Sequence, residues 1–290
     1  MPRRAIIGLT LGFFLLAGSL TWAKELEVHM PQPTLAQGDL SPVTVTPPES
    51  LGRLEARFRG LSLPAHPGEG TYTVLLAVDL ETPPGSYPVE FEARGVSGRR
   101  YQLQSSVTVV DGRFPVQRLT LPKGMVDLDA KTLERVRREA KVVKGIWKKW
   151  KGGPFWWQDF VLPLAGQLDV SSEFGLRRIL NGQPRRPHGG VDFRAPRGTP
   201  VRASNGGLVV YTGEMFFNGK SVVVHHGGGL FTTYLHLHEY QVRSGQEVAK
   251  GEVLGWVGAT GRATGPHLHW GGNLRGVRFD PRRLLDLSLP

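Results

Sequence analysis

The spacing of apolar and polar positions changes twice along the chain. Between about Lys24 and Met125 the period is two. Tyr87, Val89, Phe91 and Ala93 alternate with Pro88, Glu90 and Glu92, and Tyr101, Leu103, Val107 and Val109 keep the same step. Such alternation predicts strands with one buried face. Turn formers punctuate them at Pro47-Pro48, Pro67-Gly68, Pro83-Pro84-Gly85 and Asp111-Gly112. Short strands at this spacing predict a small Ig-like β-sandwich over residues 24–125. From about Asp129 to Trp150 the period lengthens. Leu133, Val136, Ala140, Val143, Trp147 and Trp150 share one stripe of a helix, with Asp129 as its N-cap and Gly152-Gly153-Pro154 as its stop. The other faces carry Arg135, Arg137, Arg138, Lys141, Lys144, Lys148 and Lys149. This linker helix, within residues 126–157, either packs its stripe on a neighbouring domain or lies on an anionic membrane; packing is the favoured reading.

From Gln158 onward the chain is β-like and rich in glycine, with 20 of its 38 glycines between Gly182 and Gly276. Segments Gly207–Tyr211, Ser221–His225 and Leu230–Leu235 predict strands. No long helical period interrupts them, so the glycines serve turns and close backbone approaches rather than a Rossmann crossover. The fold class is all-β: a sandwich, a linker helix and a compact antiparallel β domain over residues 158–290.

Composition adds an address. Arg3 and Arg4 precede an uncharged apolar run from Ala5 to Leu20, and Thr21-Trp22-Ala23 follows. This pattern predicts a secretory signal over residues 1–23, cleaved after Ala23, and an exported protein. The run is shorter than the ~20 apolar residues a spanning helix needs. There is no cysteine, which excludes disulfides, thiol nucleophiles and Cys-based zinc sites together. The formal net charge is +11. In an exported chain that balance points to anionic envelope polymers or a membrane surface as partners, and away from nucleic acid.

The chemistry gathers near the C-terminal end. His188-Gly-Gly-Val-Asp192, Tyr234-Leu-His236 and His267-Leu-His269-Trp270 hold five residues that suit a metal hydrolase. Two histidines and a carboxylate can hold a zinc ion and leave one position open, while two further histidines handle protons. Residues i and i+2 of a strand share a face, so His267 and His269 can look into one cleft while Leu268 enters the core. Three ligands of one zinc need donor atoms within ~6 Å of one another. His29 and His66 stand alone beside prolines and read as surface residues, and surface or strand-edge positions are expected for His225 and His238. Competing motifs fail. His238-Glu239 does not continue as His-Glu-x-x-His, the run from Gly213 to Gly219-Lys220-Ser221 has one residue too many for a phosphate loop, and there is no Gly-x-Ser-x-Gly.

These strings resemble the LytM/lysostaphin-type zinc endopeptidases, the M23 family of peptidoglycan hydrolases. Flanking strings agree: Ser172-Glu-Phe-Gly175-Leu-Arg177, Gly189-Gly-Val-Asp-Phe193, Ala195-Pro-x-Gly-Thr-Pro-Val201, Gly245-Gln-x-Val248 and Thr260-Gly-x-x-x-Gly265-Pro-His. The match runs from about Phe160 to Pro281. By position the resemblance implies His188, Asp192 and His269 as ligands of one Zn2+, His236 and His267 as the catalytic pair, and peptidoglycan stem peptides or cross-bridges as substrate. His226 is expected to prop the site from behind, and Tyr234 to pack or hydrogen-bond nearby. At Trp270-Gly271 the family more often has an aromatic followed by an acidic residue, a departure expected to border the cleft. The alternative is a non-catalytic LytM-like envelope module that activates a separate amidase; relatives of that kind typically lack zinc ligands, and here all five positions are filled.

Overall fold

The computed structural model describes residues 25–120, 127–148, 159–166 and 168–287. The signal segment, Met125, Trp150 and the Gly152-Gly153-Pro154 stop lie outside them. The first strands are β1 (Glu27–His29), β2 (Thr34–Ala36), β3 (Leu40–Thr46), β4 (Leu51–Phe58) and β5 (Leu61–Pro67). They continue as β6 (Tyr72–Ala77), β7 (Gly85–Gly95), β8 (Arg100–Val110) and β9 (Val116–Leu119). Helix α1 (Ala130–Ile146) follows. Next come β10 (Asp169–Ser172), β11 (Arg177–Leu180), β12 (Gln183–Pro184), β13 (Val191–Arg194), β14 (Pro200–Arg202) and β15 (Gly207–Met215). The last are β16 (Gly219–His225), β17 (Leu230–Tyr240), β18 (Glu247–Val248), β19 (Val253–Val257), β20 (His267–Leu274) and β21 (Val277–Phe279), before a 3-10 turn at Pro281–Leu284.

The alternation read from the sequence is visible in β7, where Val89, Phe91 and Ala93 are buried and Glu90 and Glu92 exposed. The first eight strands pair in the order β1-β3-β6-β5-β4-β7-β8-β2. Strand β5 is the corner: its first half pairs with β4 and its second half with β6. Leu35, Val43, Val45, Phe58, Val74, Leu76, Phe91 and Val107 fill the core between the two halves. The second sheet runs β10-β13-β20-β17-β16-β15-β18, with β14 and β19 paired beside β17 and β21 beside β20. Strand β9, which the sequence reading grouped with the sandwich, pairs instead in parallel with β11.

The two sheets share one continuous core. Arg278 on β21 reaches Asp79 at 3.0 Å and Glu81 at 3.1 Å, and Arg283 reaches Asp39 at 2.8 Å. Gly38, at φ +90°, lies so close to Phe174 that an added Cβ would stand 2.4 Å from the ring. His66 belongs to this seam, around a narrow crevice with Leu63, Leu75, Gly228 and Leu274. It is half-buried rather than a surface residue, and burial pushes its pKa down to about 4.

Helix α1 starts as predicted, with the Asp129 carboxylate accepting from Thr132 N at 2.7 Å. Its docking differs from the predicted stripe. Leu133 remains 38% exposed, while Ile146, outside the stripe, is buried. Ile146 and Trp147 pack on Val210, Val223 and Phe231. Among the described residues the last turn carries the apolar cluster on the sheet, so a stripe drawn along the whole helix overstates its buried face. Arg137, Arg138, Lys141, Lys144 and Lys148 face solvent.

Candidate metal centre and catalytic pair

Strand β20 lies between β13 and β17, and its register assembles the site. His269 stands opposite Asp192 on one side and Leu235 on the other. His267 and His269 share a face, while Leu268 and Trp270 are fully buried behind them. The approach is close because Gly190 has no side chain. A Cβ there would meet Trp270 O at 2.4 Å and His269 Nε2 at 2.6 Å. The Gly189-Gly190 pair thus lets the loop from His188 fold against β20 and return as β13.

Asp192 Oδ1 lies 2.9 Å from His188 Nε2 and 2.8 Å from His269 Nδ1. The two ring nitrogens stand 3.0 Å apart. All three donors fall within 4.8 Å of one another, inside the separation that a shared ion requires. Asp192 is held ionised: burial pushes its pKa up, but the hydrogen bonds and charge of His188 and His269 more than offset this and hold it well below the usual carboxylate range. Burial pushes the His269 pKa down, favouring neutral imidazole.

Tautomers follow from the backbone. A carbonyl oxygen can only accept, so a ring nitrogen facing one must carry the proton. His188 Nδ1 faces Glu173 O at 2.9 Å, His236 Nδ1 faces Thr260 O at 2.9 Å, and His267 Nδ1 faces Gly265 O at 2.9 Å. Each neutral ring therefore has its lone pair on Nε2. At His188 that lone pair meets the Asp192 carboxylate, an approach of two acceptors that a cation or an added proton must bridge. A cation fits: ligands ~2.0–2.2 Å from one zinc stand roughly 3.3 Å apart in a tetrahedron, and fixed His tautomers are the usual support of such sites.

His236 reaches the site through a bulge. Between β16 and β17 the register passes from Lys220↔Leu237 to Val222↔Tyr234, so Leu235 and His236 together oppose Ser221. His236 adopts φ +62°, a conformation costing about 1–3 kcal/mol in a non-glycine residue. Its N–H donates to Asn218 O at 2.9 Å, and its ring lies 4.7 Å from that of His267 and 6.1 Å from that of His269. Bulges re-aim side chains in this way. Burial pushes the His236 pKa down to about 4, so the ring is neutral near pH 7. His267 Nε2 stands 4.0 Å from Asp192 Oδ1.

All five residues singled out in the sequence thus meet on one face. Others do not. Tyr234 is fully buried, accepting from Ser204 N at 2.8 Å and hydrogen-bonding Thr232 Oγ1 at 2.9 Å. His226 is buried with its ring nitrogens on Gly206 O and Thr232 Oγ1. His225, expected at the surface or a strand edge, ends β16, is 1% exposed and stacks on Phe231. Trp270 does not border the cleft; its neighbour Gly271 does, and a Cβ there would stand 3.5 Å from His269 Nε2. The carbonyls of Glu173, Thr260 and Gly265 escaped residue-by-residue reading because they are backbone, although each belongs to a flanking string already noted. Arg178 was missed altogether: it donates to Ser172 Oγ at 2.7 Å and lies 3.9 Å from Asp192 Oδ2.

Comparison with known proteins places this arrangement. The profile of Peptidase family M23 matches residues 186–281. The DD-carboxypeptidase/endopeptidase Mpg of Neisseria meningitidis is 42% identical over 121 residues, which are 42% of this chain and 27% of that protein. The peptidoglycan DD-endopeptidase ShyA of Vibrio cholerae is 44% identical over 109 residues, 37% of this chain and 25% of that protein. The matches thus span about a quarter of these relatives' length. A crystal structure from Pseudomonas aeruginosa, assigned to peptidase M23, superposes with a TM-score of 0.65 at 31% identity, covering 86% of this chain and 94% of that one. The chain belongs to peptidase family M23.

Proposed function

We propose that the protein is an exported, zinc-dependent endopeptidase that hydrolyses peptide bonds in peptidoglycan stems or cross-bridges. In this reading His188, Asp192 and His269 hold the metal, His236 and His267 are the catalytic pair, and residues 24–125 and 126–157 are a sandwich domain and linker ahead of the peptidase domain, 158–290. The observation that carries it is the meeting of three metal-suited donors within 4.8 Å beside two imidazoles 4.7 Å apart. The named activities of the Neisseria and Vibrio relatives support the substrate class. No helix among the described residues is long and apolar enough to cross a membrane.

A zinc ion held there supplies Lewis acidity and lowers the pKa of a water toward ~7. The residues do the rest. With Nδ1–H committed to a carbonyl, His236 and His267 turn Nε2 toward the cleft, where each can accept a proton. After taking a proton from the attacking water, that same Nε2–H becomes a donor aimed at the cleft, suited to the leaving amine. His267 Nε2 stands 4.0 Å from Asp192 Oδ1, and the His236 ring 6.1 Å from that of His269.

Metal analysis and digestion of purified sacculi test this. Wild type should carry one zinc and release soluble fragments. His267→Ala should keep zinc and lose ~10²–10⁴-fold in rate, and His269→Ala should lose both. Wild-type activity in His267→Ala would remove the proton-transfer role. A zinc-free protein that binds sacculi without cutting them would favour the amidase-activating module instead.

A further inference from the structure

The linker helix meets the loop beneath His236 through Glu139 and Arg135. Glu139 lies in the middle of α1. Its carboxylate Oε2 accepts from Phe216 N at 2.9 Å, and its Oε1 accepts from Arg135 Nε at 2.7 Å. The carboxylate is only 19% exposed. Arg135 also stands over the Phe216 ring, 5.8 Å from its centroid.

Phe216 opens the loop that joins β15 to β16. Two residues later, Asn218 O accepts from the His236 backbone N–H. The intervening Phe217 O accepts from Arg262 N at 2.9 Å. Arg262 belongs to the segment whose Thr260 carbonyl fixes the His236 ring. Gly219 and Gly261 pack so closely that a Cβ on Gly261 would stand 2.3 Å from Gly219 N. Both anchors of His236, backbone and ring, therefore depend on where residues 216–219 sit. His236 needs such anchors because its positive φ is unfavourable by itself. On the helix side, the Phe216 N–H is gripped by a charged acceptor, the stronger kind of hydrogen bond.

We infer that Glu139 is a positioning residue for His236: by fixing the 216–219 loop to the linker helix, it holds the catalytic imidazole in its bulged, left-handed conformation. The inference rests on His236 being catalytic. It also makes α1 part of the active site's support, so that movement of the helix is felt at the imidazole while the three metal donors, on β13, β20 and the loop before β13, stay in place.

The test compares Glu139→Ala, Glu139→Gln, Arg135→Ala and His236→Ala in the full chain with zinc bound. Glu139→Ala should lower kcat roughly tenfold, the loss of about 1.4 kcal/mol of positioning, with KM and zinc content unchanged. Glu139→Gln keeps a neutral acceptor and should recover most of that loss. Arg135→Ala breaks the ion pair, leaves the Phe216 bond and should match wild type. Hydrogen exchange at the His236 amide should quicken in Glu139→Ala, a readout independent of activity. Wild-type kcat and His236 exchange in Glu139→Ala would overturn the inference, as would equal losses in Glu139→Ala and Glu139→Gln. Should Glu139→Ala not fold, unchanged exchange and kcat in Glu139→Gln together with a tenfold loss in Arg135→Ala would overturn it. Should His236→Ala itself keep full activity, the functional reading fails, whereas a dead His236→Ala beside a fully active Glu139→Ala sinks only the positioning role.

Discussion

Gly190→Ala perturbs the proposed metal centre while keeping all three donor residues. The glycine has no positive φ to defend; its importance is space. The new Cβ would stand 2.4 Å from the carbonyl oxygen of Trp270, roughly 1 Å short of ordinary van der Waals contact. That oxygen is backbone of β20, which is paired on both sides by β13 and β17, so it cannot swing away like a flexible side chain. The second clash, 2.6 Å to His269 Nε2, falls on a proposed ligand. Relief requires the His188–Asp192 segment to move about 1 Å from β20, whereas zinc–ligand distances tolerate only about ±0.2 Å. Overpacking of this kind costs about 1–3 kcal/mol of stability. Zinc affinity should fall by more than the 10–100-fold seen when the surroundings of a ligand are disturbed. Urea unfolding of the metal-free protein measures the first effect, and competition with a chromophoric chelator measures the second. A variant that binds zinc within threefold of wild type would refute the claim that this close approach builds the site.

Two further outcomes follow from the buried charges and rings. Burial pushes the pKa values of His225 and His226 down to about 4, below the ~6.5 of an unfolded histidine. Between those values the unfolded chain binds protons that the folded chain refuses. Their stabilising effect is complete above pH 6.5 and is lost as pH falls toward 4, by at most about 3 kcal/mol for each ring. The urea midpoint of wild type should therefore drop more between pH 7 and 4.5 than that of His226→Asn; parallel profiles would show that His226 does not titrate in this way. Arg278→Ala removes hydrogen bonds to Asp79 and Glu81 across the seam. With Arg278 and Asp79 each about a quarter exposed, the loss should be about 1–2 kcal/mol after allowance for solvent screening; an unchanged thermal midpoint would mean that the seam rests on its apolar contacts alone.

How much of this was legible in the sequence depends on what carried each feature. Period-two alternation gave β7 and β8 almost residue for residue, because one face of each meets the core and the other meets water. The five candidate site residues, which the fold brings to one face, were legible because side-chain chemistry and spacing both mark them. The seam was not. Asp79, Arg278 and Asp39 look like ordinary surface charges until the fold brings residues about 200 or more positions apart into contact, and β9 carries too short a pattern to announce its parallel partner β11. His66 and His225 show the same limit: a histidine's burial depends on what packs over it, which its neighbours in sequence do not encode.

The helix is the instructive failure. Its cap follows from local rules, since Asp129 bonds within its own first turn. Its docking does not, because apolar periodicity reports which face could be buried and not how far along the partner surface extends. Among the described residues Ile146 and Trp147 pack on β15 to β17, and farther back the contact passes to Glu139, which lies outside the predicted stripe. A carboxylate is the suitable residue there. The start of the 216–219 loop presents a backbone N–H that no strand satisfies, and a buried donor left unpaired costs about 1–3 kcal/mol. An apolar residue at position 139 would extend the stripe and leave that donor unmet, whereas the carboxylate interrupts the stripe and anchors the loop beneath His236.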